Sequence, residues 1–220
     1  MMSLVETLSA DFLPRFLAGM AVNFEIAVIS IAIGLAFGAL LAFGRLVGGV
    51  LGGLSAAIVA LMRAAPTFVV MFFLLNAIPR DAKLFGMPFA LSGVMTVALS
   101  LVPYSAAYIA DAAVDALRHL RGGTMLGALL FLPNVTRAFF VLVMSSSAGA
   151  AIGVTEGITV ILRQAEKLPA LDERLVLFAI GVVMFGIPLQ LAFVLISLIQ
   201  KRLSRVIVQA PPTEAAQSGK

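Results

Sequence analysis

"FLAGMAVNFEIAVISIAIGLAFGALLAFGRL", Phe16 to Leu46, decides the class of this chain. Its charged side chains are Glu25 and, at the far end, Arg45; everything between is apolar or small apart from Ser30. A soluble domain could not hide such a run, whereas about 20 residues suffice to cross the hydrocarbon of a bilayer as a helix. A spanning strand would need only about ten residues in alternation, so length and uniformity select helix.

The rest of the chain follows suit. Of 220 residues, 61% are hydrophobic and 12% charged, and the mean hydropathy is +1.10; soluble domains carry roughly twice that charge. Five spans are expected: Leu17 to Phe43, Ser55 to Ile78, Met87 to Leu117, Phe131 to Gly149 and Leu175 to Ile199. Residues 1–205 form one all-α transmembrane domain, and 206–220 a polar tail that need not fold. Met1 to Arg15 has acids and no early basic cluster, so the first run is expected to be retained as a span rather than removed as a signal.

With no cysteine there is no thiolate site or disulfide, and His119 is the one histidine, which leaves no imidazole cluster for metal or triad chemistry. The net charge of +4 sits at the ends of apolar runs, where a membrane protein places it, and argues against nucleic acid. "QSGK" at 217–220 lacks the glycine-rich loop and strand-helix context of a phosphate-binding motif, so no enzyme activity is expected of this chain.

Cations without matching acids mark the cytoplasmic side: Arg118 and Arg121 at the turn after the third span, and Lys201, Arg202 and Arg205 before the tail. The C-terminus is therefore expected inside and, with five spans, the N-terminus outside. The opposite side carries Arg80, Lys83, Arg163, Lys167 and Arg174 among acids, so the bias is modest.

Polar groups inside spans are expensive and imply a partner, a wet cavity or a role. Ser100, Tyr104, Tyr108, Asp111 and Asp115 recur at steps of four, four, three and four, which puts them on one helical face. That face either lines a path or packs on a neighbour, its acids pairing with Arg63, Arg118 or Arg137. Glu25 lies early in the first span. Arg63 stands just before "AAP", where Pro66 removes a backbone donor and bends the helix, as a gate or as a structural kink. Ser145, Ser146 and Ser147, followed by small residues and Gly149 and Gly153, make a poor helix, either a substrate-facing break or a close-packed end. Gly34, Gly38 and Gly44 recur at about one-turn spacing and allow helices to approach closely.

In order along the chain, "FLAGMAVNFEIAVISIAIGLAFGALLAFGRL", "ALMRAAPTFVVMFFLLNAIP", "SAAYIADA" and "AAIGVTEGI" resemble segments of the permease subunits of bacterial ABC importers for polar amino acids, the histidine, glutamine, arginine and opine group. Arg63, Pro66, Pro79, Tyr108, Ile152, Gly153, Val154 and Glu156 match that family's pattern, and Asp111 stands where it has Glu. The resemblance runs from about Phe12 to Leu203 and implies a type I importer fold, a permease pair, a cytoplasmic ATPase dimer that uses ATP and Mg, and an extracytoplasmic solute-binding protein. It carries Arg63, Pro66, Tyr108 and Asp111 over as path or gate residues and Glu156 at the outer end of the bend; the polar helix face and the weak helix end add Tyr104, Ser145, Ser146 and Ser147 as candidates for the same path.

Two departures stand out. The family's docking helix, "Glu-Ala-Ala…Gly", is absent after "RHLRGG", and roughly ten residues, about 15 Å of helix, are missing. Arg118, His119, Arg121, Gly122, Gly123 and Thr124 are what remains to face an ATPase. The charges of the family's "Lys-Asp-Thr-Ser" are also lost, since Met144 to Ser147 stand there. These features favour an importer subunit in a heteromeric pair; a permease-like scaffold or sensor and a small ion-coupled carrier are the alternatives.

Overall fold

The computed structural model describes residues 11–78, 83–84, 87–88, 91–123 and 126–209. Thr124, Pro79 and residues 210–220 of the tail lie outside them.

The described chain is helical apart from one two-residue ladder. In order it contains α1 (Phe12–Val47), α2 (Gly49–Ala64), α3 (Thr67–Ala77), β1 (Lys83–Leu84), β2 (Met87–Pro88), α4 (Gly93–Arg121), α5 (Leu126–Ser145), a 3-10 segment (Ser146–Ile152), α6 (Gly157–Ala165) and α7 (Leu171–Gln209). The β strands pair antiparallel, Lys83 opposite Pro88 and Leu84 opposite Met87. Hydrocarbon offers no partner for a backbone N–H or C=O, so spanning segments satisfy their own as helices.

Four helices are long and apolar enough to cross a bilayer, and α2 with α3 makes a fifth if that bent pair is one span. The five expected spans thus stand, with shifted ends. The first and last helices run past the apolar stretches, to Phe12–Val47 and Leu171–Gln209, because hydropathy registers only the part inside hydrocarbon. The second begins at Gly49 rather than Ser55, and the third at Gly93 rather than Met87, which is taken into the β ladder. Ser92 caps α4 by accepting from the Met95 N–H at 3.1 Å.

The second span is broken where the sequence places its proline. Ala65 and Pro66 are both extended, at φ −70°, ψ 114° and φ −70°, ψ 122°, since the proline ring excludes helical geometry from the residue before it. α2 and α3 consequently meet at 93°. Pro103, Pro133 and Pro188 sit within α4, α5 and α7, which continue through them.

α1 and α4 form the spine. Gly34 and Gly38 of α1 face α4: a Cβ built on Gly34 would lie 2.7 Å from Ser105 Cβ, and one on Gly38 2.8 Å from the Ala106 carbonyl oxygen and Ile109 Cβ. Such contact requires glycine. It brings Ser30 Oγ within 3.0 Å of the Ala98 carbonyl and Ser105 Oγ within 3.0 Å of the Ser30 carbonyl, so hydroxyls bond across the seam as well as within it. Phe16, Met20, Ile26, Leu101, Leu142 and Leu177 fill the core beside it. α7 lies outermost: only 6% of its most apolar window is buried.

The reversal from α1 into α2 uses Gly48 and Gly49 at φ +77° and +59°, a region that side chains with a Cβ rarely adopt. α2 then runs back along α1, and a Cβ on Gly44 would lie 2.2 Å from Ser55 Oγ.

Candidate functional site

The fold gathers three charged side chains from three helices. Asp111, on α4, accepts from Arg45 Nη1 at 2.7 Å through Oδ1 and from Arg63 Nη2 through Oδ2. Arg45 occupies the last turn of α1 and Arg63 the last turn of α2; the glycine reversal lays α2 back along α1 and so points both arginines toward α4. Asp111 is 37% exposed, Arg45 26% and Arg63 64%, so the cluster is half-open.

One carboxylate against two guanidiniums leaves one positive charge. That surplus can attract an anionic group, and the pairings latch α1 and α2 to α4. Neither pair is deeply buried, so each contributes on the order of 1 kcal/mol rather than the several that a desolvated pair can involve. Such bonds can break and reform in a working cycle.

Tyr108, one turn before Asp111, stacks on Tyr104 with ring centroids 6.2 Å apart and planes at 29°. Both tyrosines are half-buried, and Ser100 is buried, its hydroxyl donating to the Val97 carbonyl within the helix. The polar face of α4 is therefore divided: Ser100 serves the helix itself, the tyrosines stack, Asp111 joins the arginines, and Asp115 is exposed. Among the partners anticipated for these acids, Arg63 is at Asp111, whereas Arg137 is exposed on α5 beside the groove described below.

A second cluster fixes the broken end of the fourth span. Ser146–Ile152 is wound as a 3-10 segment, ended by Gly153 at φ +84°. Its anchor is Asn23 of α1, whose Nδ2 donates to Ser146 Oγ at 2.8 Å and to Glu156 Oε2 at 3.0 Å, while its Oδ1 accepts from the Gly157 N–H at 3.0 Å. Glu156 caps α6, accepting from the Ile158 N–H at 2.9 Å and the Thr159 N–H at 2.7 Å. The Thr159 hydroxyl lies 2.7 Å from the Val154 carbonyl and 2.9 Å from Glu156 Oε1, sharing one proton between them.

Asn23, Ser146 and Glu156 are all 0% exposed. Glu156, anticipated as a path residue, is enclosed as a helix cap with both carboxylate oxygens occupied. The sequence shows an acid after a loop; it does not show that Asn23, 133 residues earlier, reaches it. Gly19 makes this approach possible, since a Cβ there would lie 2.8 Å from the Glu156 carbonyl carbon. Ser145 and Ser147 are half-buried on either side of Ser146.

At the opposite end, α4 stops at Arg121 and α5 starts at Leu126. The Gly122 N–H closes the helix on the Arg118 carbonyl, and Gly123 turns the chain at φ +78°. Arg118, His119, Arg121, Gly122 and Gly123 are exposed, and Thr124 lies outside the described residues. Four residues separate the two helices, a stretch of about 6 Å if helical, against the roughly 15 Å of helix missing from the family pattern.

A groove of about 520 Å³ runs between α5 and α7, lined by Arg137, Phe140, Met144, Phe185 and Gln190 among others, and by none of the anticipated path residues. No group of three or more His, Cys, Asp or Glu is placed to hold a metal ion among the described residues. Two residues of the clusters were missed by sequence reasoning. Arg45 was read only as the end of a span, although an arginine beside a double-glycine reversal is well placed to meet an acid on a neighbour. Asn23 draws no notice within the first span's apolar run, although a buried amide in a span needs partners.

No family model matches the chain, and no curated protein matches it. The fold is similar to that of a chain in a crystal structure described as an amino acid ABC transporter with histidines, with a TM-score of 0.62 and 18% identity over 89% of this chain and 100% of that one. At that identity the likeness shows the fold: a multi-pass helical membrane architecture shared with an ABC transporter chain.

Proposed function

We propose that this chain is a membrane-spanning subunit of an ATP-driven importer in the bacterial inner membrane, translocating a polar amino acid or a related small solute. The observation that carries the reading is the likeness in fold over 89% of the chain to a chain of an amino acid ABC transporter. The ordered sequence fragments around Arg63, Pro66, Tyr108 and Asp111 add to it, because three of those four residues converge on one cluster or its tyrosine stack.

In this reading the Arg45–Asp111–Arg63 cluster and the Tyr104–Tyr108 pair guard the path at the bend of the second span. An excess positive charge there suits a carboxylate passing through, and opening of the bend at Pro66 would exchange an arginine's protein partner for the solute. Ser145 and Ser147 flank the 3-10 segment and would face the solute further along. Glu156 positions that segment through α6.

ATP and Mg belong to a separate ATPase dimer, and a solute-binding protein outside the membrane delivers the cargo. The N-terminus is outside and the C-terminus cytoplasmic. The short stretch of chain between Arg121, where α4 ends, and Leu126, where α5 begins, supports a division of labour: a second, different permease with a full docking helix receives the ATPase stroke, and this chain completes the passage.

Identifying what co-purifies with the chain from mild detergent tests the proposal. A second permease together with an ATPase is expected. Recovery with a sensor protein and no ATPase would instead favour the scaffold reading.

A further inference from the structure

We infer that the groove between the first turns of α1 and the α6 helix is a headgroup site for an anionic phospholipid. The cavity encloses about 400 Å³ and is lined by Arg15, Arg163 and Lys167 above a floor that includes Ala18, Gly19 and Val22. No acid lines it. α1 supplies Arg15 and α6 supplies Arg163, while Lys167 follows α6; the packing of Gly19 on the Glu156–Gly157 backbone holds these elements together.

The ion pair next to the groove is a solvent-exposed one, at Arg15. Asp11 pairs with Arg15 at 3.3 Å, with both side chains exposed, and Glu166, one turn after Arg163, is exposed outside the groove. Lys167 Nζ donates to the neutral Gln164 Oε1 at 2.9 Å, and Arg163 has no acidic partner among the described residues. Three donors of positive charge around one cavity suit a phosphate diester.

The apolar floor and flanks select a lipid over a free anion. Leu17, the sequence neighbour of Ala18, is 52% exposed and Leu162, the sequence neighbour of Arg163, 43% exposed, and in a bilayer such surfaces meet acyl chains while arginine and lysine heads reach the headgroup layer. Along α6, Ile161 and Ala165 pack into the core while Leu162 and Arg163 face out. A soluble phosphate would gain nothing from the leucines.

The test is native mass spectrometry of the detergent-purified full chain after equilibration with mixed phosphatidylglycerol and phosphatidylcholine micelles. Wild type is expected to retain phosphatidylglycerol preferentially, and Arg15→Gln, Arg163→Gln and Lys167→Gln each to reduce the preference by about fivefold. Lys201→Gln with Arg202→Gln, at the far end of α7, should leave it unchanged. All these side chains are exposed, and unaltered thermal unfolding of each variant confirms that the fold is intact. Equal retention by wild type and the triple variant would overturn the site, as would displacement of phosphatidylglycerol by millimolar orthophosphate alone. Loss of a co-purifying protein from the triple variant with lipid retention unchanged would also overturn it, assigning the groove to a protein surface.

Discussion

Arg45 of α1 and Asp111 of α4 meet at 2.7 Å, 66 residues apart in sequence, and Arg63 of α2 shares the same carboxylate. Three helices are thereby tied at one half-open point. Asp111→Asn removes the negative charge, keeps an acceptor for only one of the two arginines and leaves two guanidiniums facing each other. The expected loss is about 1–2 kcal/mol, less than for a buried pair because Asp111 and Arg63 are substantially exposed. A double-mutant cycle with Arg45→Gln, read by thermal unfolding in detergent, should show a coupling of at least about 0.5 kcal/mol. Strict additivity would mean that the pair does not form in the membrane.

Asn23→Ala should be costlier. It leaves the Gly157 N–H without its acceptor in a buried network, at about 1–3 kcal/mol for that unsatisfied group, and takes one of two donors from Glu156 Oε2, which keeps the Ile158 N–H. Unfolding temperature is expected to fall by about 2–4 °C per kcal/mol. Glu156→Gln should behave similarly, since an amide cannot accept N–H bonds at both positions. A Glu156→Gln chain as stable as wild type would show that the cap is not what holds the 3-10 segment.

Gly34→Ala tests the spine. The added methyl meets Ser105 Oγ at 2.2 Å, displacing the hydroxyl that bonds the Ser30 carbonyl. Overpacking of this kind costs about 1–3 kcal/mol. Gly186→Ala, where a Cβ would meet nothing within 4 Å, is the control and should be neutral or slightly stabilising.

Pro66→Ala should straighten the second span. The chain has no cysteine of its own, so spin labels at Leu61→Cys and Phe73→Cys report on α2 and α3 alone. In wild type the 93° bend keeps the labels closer than the roughly 18 Å of backbone rise in a continuous helix; the variant should lengthen their separation. An unchanged distance would place the cause of the break in α3's packing rather than in the proline.

These sites differ in how far the sequence revealed them. The spans, the break at Pro66 and the close packing of Gly34, Gly38 and Gly44 follow from local chemistry: apolar length, a missing N–H, a missing Cβ. The weak helix after Met144 was legible for the same reason. Arg45 and Asn23 were not, because their meaning lies in partners 66 and 133 residues away, and no local pattern encodes that distance. The capping role of Glu156 was not legible either, because capping and substrate contact both ask for an acid at a loop end; only the enclosing donors reveal the cap.

The central claim is that this chain forms part of a nucleotide-driven passage gated at Asp111. The direct measurement is uptake of labelled polar amino acids into vesicles holding the chain with its co-purifying permease and ATPase, comparing wild type with Asp111→Asn and Tyr108→Ala. The account predicts ATP-dependent uptake that falls at least about tenfold in both variants, roughly 1.4 kcal/mol on the transport barrier, while the complex still assembles. Uptake that persists at wild-type rates in both, or that proceeds without ATP, would contradict it.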